Sequence, residues 1–360
     1  MAGDSCPVAY GVNFWNRRPL SAIVARRFGN APRYIDDFDQ AADEARRAGV
    51  PLIAWSARVS AEQEDRVRQR VAFFRIEDGF IRSVGLGAGL VAGASYVLDS
   101  RGIYYDSRRA SDLEVLLQTR QLTDEQLERG RGLLRMLVDL RVSKYNLPER
   151  TASLPRPADR EAVLVVGQVA DDASIRSSVS TTLDCQRSPN INRDLLVYAR
   201  QRHPGAVIAY KPHPDVASGL RRGQIPRSEV GSLADHCLEH TDIVDAIDWC
   251  DRVETVSSLA GFEALVRGKA VATHGTPFYA GWGLTEDHGE FARRSRRVGL
   301  EAMVYLLLVE YSICYHPAHR RICTPEELIA YLVERRRSRG VRWTIQALTL
   351  ASRLGRRLGL

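Results

Sequence analysis

Two neighbouring acids, Glu77-Asp78, stand directly after the apolar run AFFRI and directly before Gly79. Carboxylates at the end of a strand are suited to take a proton from a hydroxyl or to attack an electrophilic carbon. Side chains alternate along a strand, so at most one of the two faces a given crevice, and the other can pair with Arg75 or Arg82. A solvated acidic turn is the competing reading. A second pair, Asp171-Asp172, follows the run AVLVV and Gly167. It offers a nucleophile or a base, or else a cap for the next helix. Lys211-Pro212-His213-Pro214-Asp215 ends the run AVIAY. Prolines on both sides stiffen the histidine, which can then donate to a phosphate or protonate a leaving group, with Lys211 adding charge nearby; a purely structural histidine is the alternative. Thr255-Val256-Ser257-Ser258 runs into a helical pattern that holds Gly261 and Glu263. Serine hydroxyls and unpaired amides at such a point make an anion site without a lysine, and either serine can also cap the helix.

Other candidates fall away. SVGLGAGLVAG (83–93) is rich in glycine but does not place G-x-G-x-x-G between a strand and a helix, so the dinucleotide fingerprint fails. His236 and His240 share a helical face, and His316 and His319 lie near Cys314 and Cys323, but neither group has the ligand spacing of a zinc site. No metal is expected.

The elements that must carry these residues are legible as apolar runs alternating with helical patterns. PLIAWS (51–56) and VAFFRIE (71–77) flank the polar helical stretch 61–70; AVLVVG, AVIAYK, RVETVS and AVATHG recur later with helices between them. That rhythm predicts βαβ units and parallel sheets covered on both faces. Thr123 to Gln126 and Thr324 to Glu327 carry capping-box spacing at the start of two helices. The proline-rich stretch NLPERTASLPRPADRE (146–161) is the expected linker. The expected division is a Rossmann-like domain over 1–150, a second over 151–320, and C-terminal helices over 321–360.

A chain of 360 residues with 44% hydrophobic and 26% charged residues is ordinary globular material of about two domains. It contains no run of eighteen apolar residues and no secretory leader, and its six cysteines form no C-x-x-C pair, so a cytoplasmic location is expected. The net charge of +7 is carried by the end of the chain. Eight arginines follow Glu334 with no acid among them, which leaves the rest at −1. Nucleic acid is therefore not an expected partner. Residues 335–360 can instead meet an anionic membrane surface: from Val341 onward Trp343, Leu350, Leu354 and Leu358 share a face opposite Arg342, Arg353 and Arg356.

The E-D-G, K-P-H-P-D and serine-pair blocks together resemble the bacterial sialyltransferase and Kdo-transferase superfamily. RIEDGFIRSVGLG, GIYYDSRR, VSKYN, GQVADDASI, SPNIN, YKPHPDV, GFEALVRGK and PFYAGWGLTED are similar, in order over about residues 50–335, to the KpsC-type capsule polysaccharide β-Kdo transferases. Such proteins usually carry two modules. This sequence has one set of motifs, closest to the C-terminal module, which the family associates with a β-(2→7) linkage.

The resemblance implies an α/β GT-B fold of two Rossmann-like domains with an interdomain cleft, retention of configuration, no metal and no cofactor beyond the donor CMP-β-Kdo. The acceptor it implies is a β-Kdo-terminated phospholipid glycan; the basic tail over 335–360 is what would place the enzyme at the inner face of the cytoplasmic membrane. Asp171 is the expected nucleophile, with Asp172 the fallback, and Asp78 beside Glu77 the expected base. His213, Ser257 and Ser258 would hold the CMP phosphate near Lys211, with Gly261 in the same block and Glu263 on the ribose. The competing reading is a GT-B transferase for another donor, a UDP-sugar or CMP-sialic acid.

Overall fold

In the computed structural model, which describes residues 6–84, 92–146 and 154–338, the chain divides into two compact units. One comprises Met1–Ile103, Arg135–Pro148 and Val304–Leu360; the other comprises Tyr104–Leu134 and Glu149–Met303. Each is an α/β unit around its own sheet.

Apolar runs set the first strands: β1 (Val8–Tyr10), β2 (Arg33–Ile35), β3 (Leu52–Trp55), β4 (Phe73–Asp78) and β5 (Ser95–Asp99). The first four are parallel in the order β2-β1-β3-β4. Both faces are buried. Val8, Leu52 and Ala54 lie under Phe38, Ala41 and Ala45 of the helix Phe38–Ala48, while Ala9 and Ile53 lie under Leu20, Ile23 and Val24 of the helix Phe14–Phe28. Burial on both sides is why these strands read as continuous apolar runs instead of alternating ones.

The second unit holds β6 (Ala162–Val166), β7 (Val207–Lys211), β8 (His236–Cys237), β9 (Arg252–Thr255), β10 (Ala270–Thr273) and β11 (Glu286–Asp287). All pair in parallel, in the order β8-β7-β6-β9-β10-β11. This is the doubly wound Rossmann order, in which the chain works outward from β6 to β8 and then returns to its other side at β9. Val163, Val165, Ile208 and Tyr210 pack against Leu195, Leu196 and Ala199 of the helix Ile191–Arg202. Two last strands, β12 (Ser312–His316) and β13 (Arg321–Cys323), run antiparallel beyond β5. The helices Asp124–Asp139 and Pro325–Arg337 begin with the reciprocal Thr123–Gln126 and Thr324–Glu327 bonds that their sequences predict.

The units do not follow the boundaries expected at 150 and 320. Residues from Val304 onward belong with the first unit because β12 pairs with β5, and the Tyr311 hydroxyl donates to the buried Asp99 carboxylate at 2.8 Å. Residues 104–134 belong with the second. There Glu114, on the helix Asp112–Thr119, accepts from Arg293 at 2.6 Å and from Arg294 at 3.0 Å. Pairings this distant in sequence leave no periodicity to read. Part of the expected linker (147–153), the glycine-rich stretch 85–91 and the arginine-rich tail from 339 lie outside the described residues.

The Glu114–Arg294 pair is sealed, with side chains 8% and 5% exposed. Glu114→Ala strands the buried guanidinium and is expected to cost about 3–5 kcal/mol. Guanidinium unfolding of the purified variant measures it, and an unshifted transition would contradict the assignment of 104–134 to the second unit.

Candidate active site

Ligands of doubly wound sheets sit outside the carboxyl ends of the strands where the winding reverses. In the second unit that place lies between β6 and β9, and the loops after β7, β6 and β9 end side by side there. One side chain binds the two central loops together. Gln168, after β6, accepts from the Ser257 amide at 2.7 Å and donates to the Ser257 hydroxyl at 3.2 Å. Ser257 in turn donates to Ser174 Oγ at 3.0 Å. The backbone of Gln168 is gripped on both polar groups by Asn192, whose carboxamide accepts from its amide at 2.9 Å and donates to its carbonyl at 2.7 Å.

The two acids of the D-D pair have different tasks. Asp172 caps the short helix Ala173–Arg176, its Oδ1 accepting from the Ser174 amide and hydroxyl at 2.9 and 2.7 Å. Asp171 is half-buried and accepts from Arg221 at 3.2 Å. Burial raises the pKa of its carboxyl, but hydrogen bonding and charge from Arg221 outweigh this and hold it below the ordinary aspartate value. Asp171 is thus the ionised carboxylate of the two that is free of capping.

His213 caps the helix Pro214–Ala217, its Nδ1 accepting from the Asp215 amide at 3.1 Å. With Nδ1 an acceptor, the neutral ring carries its proton on Nε2, the tautomer that donates to an anion. Ser258 caps the helix Leu259–Val266 by accepting from the Ala260 amide at 3.2 Å. Lys211 and Gly261 also serve the surrounding structure. The buried Lys211 ammonium donates to the carbonyls of Leu238 and Thr241 at 3.3 and 2.6 Å, and burial lowers its pKa, so its charge is spent on holding the segment after β8. Gly261 is required by packing, since a Cβ would run into the Tyr279 ring, whose hydroxyl donates to the Ser258 carbonyl at 2.5 Å. Glu263 lies one turn into the same helix, half-buried.

In the first unit, Asp78 at the end of β4 accepts from Arg82 Nε at 2.5 Å. Arg75, the alternative partner, turns away to the buried Glu64. Glu77 is the more perturbed acid. Burial, then the charge of Asp78, pushes its pKa up to about 8, so it is protonated at neutral pH. Gly79 lets β4 and β5 close up, because a Cβ there would strike Ser95.

The residues that sequence reasoning did not single out are Gln168, Ser174, Asn192 and Arg221. All four are ordinary polar types, and their significance comes from bonds to residues 24 to 89 positions away. Among the described residues no group of three or more His, Cys, Asp or Glu is arranged to hold a metal ion, and no helix is long and apolar enough to cross a membrane.

Glu77 makes stability depend on pH. Unfolded, it titrates near the ordinary 4.5; folded, near 8. Between these values the folded chain holds a proton that the unfolded chain releases, so this group's contribution to stability falls as pH rises through the window. Glu77→Gln, always neutral, is expected to remove that slope. Urea midpoints of both proteins at about pH 5.5 and about pH 8.5 check it, and parallel behaviour would contradict it.

The sequence model of the capsule polysaccharide biosynthesis protein family matches residues 52–150 and 140–315. The capsule polysaccharide modification protein LipA of Neisseria meningitidis serogroup B is 37% identical over 332 residues, which is 91% of this chain and 45% of that protein. The lipopolysaccharide-processing protein LpsZ of Rhizobium meliloti is 34% identical over 334 residues, covering 87% of this chain and 72% of that one. The chain thus spans about half the length of the LipA relatives. Two solved structures from Thermosulfurimonas dismutans KpsC each cover 91% of the chain. Its β-Kdo 2,7 transferase is 30% identical with a TM-score of 0.73, and its β-Kdo 2,4 transferase 28% identical with a TM-score of 0.76; 99% and 98% of those chains are matched. Two Rossmann-like α/β units in one chain are the GT-B composition anticipated from the sequence. On these similarities the chain belongs to the capsule polysaccharide biosynthesis protein family.

Proposed function

We propose that this chain is a retaining glycosyltransferase that moves Kdo from CMP-β-Kdo to a β-Kdo-terminated glycolipid in capsule assembly. The observation that carries the reading is the set of donors at the β7, β6 and β9 loop ends. His213, with Nδ1 used as an acceptor, and the Ser258 hydroxyl, which accepts in its cap and keeps its proton to donate, lie at strand ends of the kind where Rossmann sheets bind phosphate; the Ser257 hydroxyl would exchange its bond to Ser174 for one to the phosphate. Neutral donors at strand ends suit the single phosphate of a CMP leaving group and stabilise the charge it acquires. The similarity to two β-Kdo transferases supports Kdo as the sugar. A phospholipid acceptor would bring the enzyme to the cytoplasmic membrane face, a setting that suits the arginine-rich segment 335–360.

Retention follows from two inversions. Asp171 attacks the anomeric carbon, the carbon–oxygen bond to phosphate breaks, and CMP leaves. The acceptor hydroxyl then attacks the same carbon, its proton passes to Asp78, and the bond to Asp171 breaks. Asp171 suits the first role because it is ionised and not engaged as a cap. Asp172 remains the alternative nucleophile and Glu77 the alternative base.

Incubation with CMP-Kdo and a synthetic β-Kdo-terminated acceptor is expected to yield one added Kdo in β configuration, with the β-(2→7) linkage expected from the motif order. Transfer from CMP-sialic acid or a UDP-sugar instead would overturn the donor assignment. Asp171→Asn should abolish transfer and the sugar adduct seen by intact-mass spectrometry, whereas Asp78→Asn should lose transfer by roughly a hundredfold or more yet still form the adduct. His213→Ala should weaken CMP binding as well as turnover, which calorimetry reads directly. An adduct mapped to Asp172 moves the nucleophile by one residue.

A further inference from the structure

The first unit has a winding reversal of its own. Its chain runs from β1 outward to β2 and returns across β1 to β3, so the crevice outside the carboxyl ends of β1 and β3 is the counterpart of the one described in the second unit. Neither of the acids assigned above lies in either loop. The crevice is bounded by Gly11-Val12-Asn13 and the start of the helix Phe14–Phe28 on one side, and by the turn Ser56–Arg58 on the other.

Four observations distinguish this place from an ordinary solvated loop. The two loops touch: Gly11 has φ +72°, and a Cβ on it would lie 2.8 Å from Arg58 Cβ and 3.0 Å from its Cγ. The stem of Arg58 is therefore laid against the backbone of the opposite loop. Arg58 is exposed and forms no hydrogen bond or ion pair among the described residues, whereas nearby Arg17 is tied to Asp36 and Arg75 to Glu64. Phe14 is 75% exposed at the mouth of the same loop, edge-on to the half-buried Trp15 with ring centroids 5.1 Å apart. Asn13, between Gly11 and Phe14, starts the helix without using its side chain as a cap.

A planar cation, an exposed aromatic face and an unused carboxamide form the complement of a sugar that bears a carboxylate. The guanidinium matches a carboxylate in a two-pronged arrangement, the ring covers apolar C–H groups of a pyranose, and the carboxamide reads hydroxyls. We propose that Arg58, Phe14 and Asn13 form the subsite that receives the acidic terminal sugar of the acceptor. The proposal rests on the transferase reading above and adds to it the residues that select a charged acceptor. Arg58 holds the carboxylate, Phe14 the ring, and neither takes part in the donor reaction.

The test separates this proposal from its parent reading by following donor and acceptor independently. Binding of a free β-Kdo disaccharide, followed by saturation-transfer NMR and calorimetry on the full chain, needs no turnover. Arg58→Ala is expected to weaken it roughly tenfold to a hundredfold and to raise the acceptor KM to match, with adduct formation from CMP-Kdo unchanged. Arg58→Lys should recover part of the loss. The methyl ester of the same disaccharide should bind wild-type protein as weakly as the acid binds Arg58→Ala, and Arg58→Ala should not discriminate the two. Phe14→Ala should weaken acid and ester alike. Unchanged disaccharide binding in Arg58→Ala, or an equal loss of acid and ester binding in that variant, overturns the subsite. Normal disaccharide discrimination without any donor reaction would leave the subsite standing and overturn the CMP-Kdo reading.

Discussion

The hydrogen bonds of one carboxamide hold together the loop ends of the second unit where its winding reverses. Gln168 spans the reversal between β6 and β9, receiving the Ser257 amide and supplying a proton to its hydroxyl, while Asn192 fixes the Gln168 backbone from below. Every backbone polar group in a buried loop needs a partner, and the end of a parallel strand has no neighbouring turn to supply one. Gln168 and Asn192 meet that need with side chains. Their geometry leaves the Ser257 hydroxyl against Ser174 and thereby joins the β9 loop to the segment that carries Asp171 and Asp172.

Charge is handled differently in the two units. In the second unit the exposed Arg221 holds the Asp171 carboxyl below the ordinary aspartate range, and Lys211 is buried among carbonyls, so the groups left at these loop ends are mainly neutral donors. Such donors stabilise charge that appears on a leaving group without binding the intact donor too tightly. In the first unit two acids adjoin. Asp78 is paired with Arg82, and the half-buried Glu77 beside it stays protonated at neutral pH. One strand end thus holds an arginine-paired carboxylate and a carboxyl with a raised pKa in consecutive residues, because alternate pleat directions give them different surroundings.

The strands and the two capped helices were legible in the amino-acid sequence, because burial on both faces of a parallel sheet writes continuous apolar runs and capping boxes have fixed local spacing. The pairs Glu77-Asp78 and Asp171-Asp172, His213 and the two serines could be named from their places at strand ends. Tertiary structure alone decided what each acid meets, since Asp172 is taken by Ser174, Asp171 by Arg221 and Asp78 by Arg82. It also decided that Lys211 serves carbonyls after β8 and that Gly261 serves the Tyr279 ring. The division of the chain was likewise invisible: β12 joins β5 across more than two hundred residues, and Glu114 meets Arg294 across 180. Local propensity and periodicity record what each residue does with its neighbours in the chain. Hydrogen bonds and ion pairs between distant segments depend on where the sheet brings those segments, and that is fixed only when the whole unit has folded.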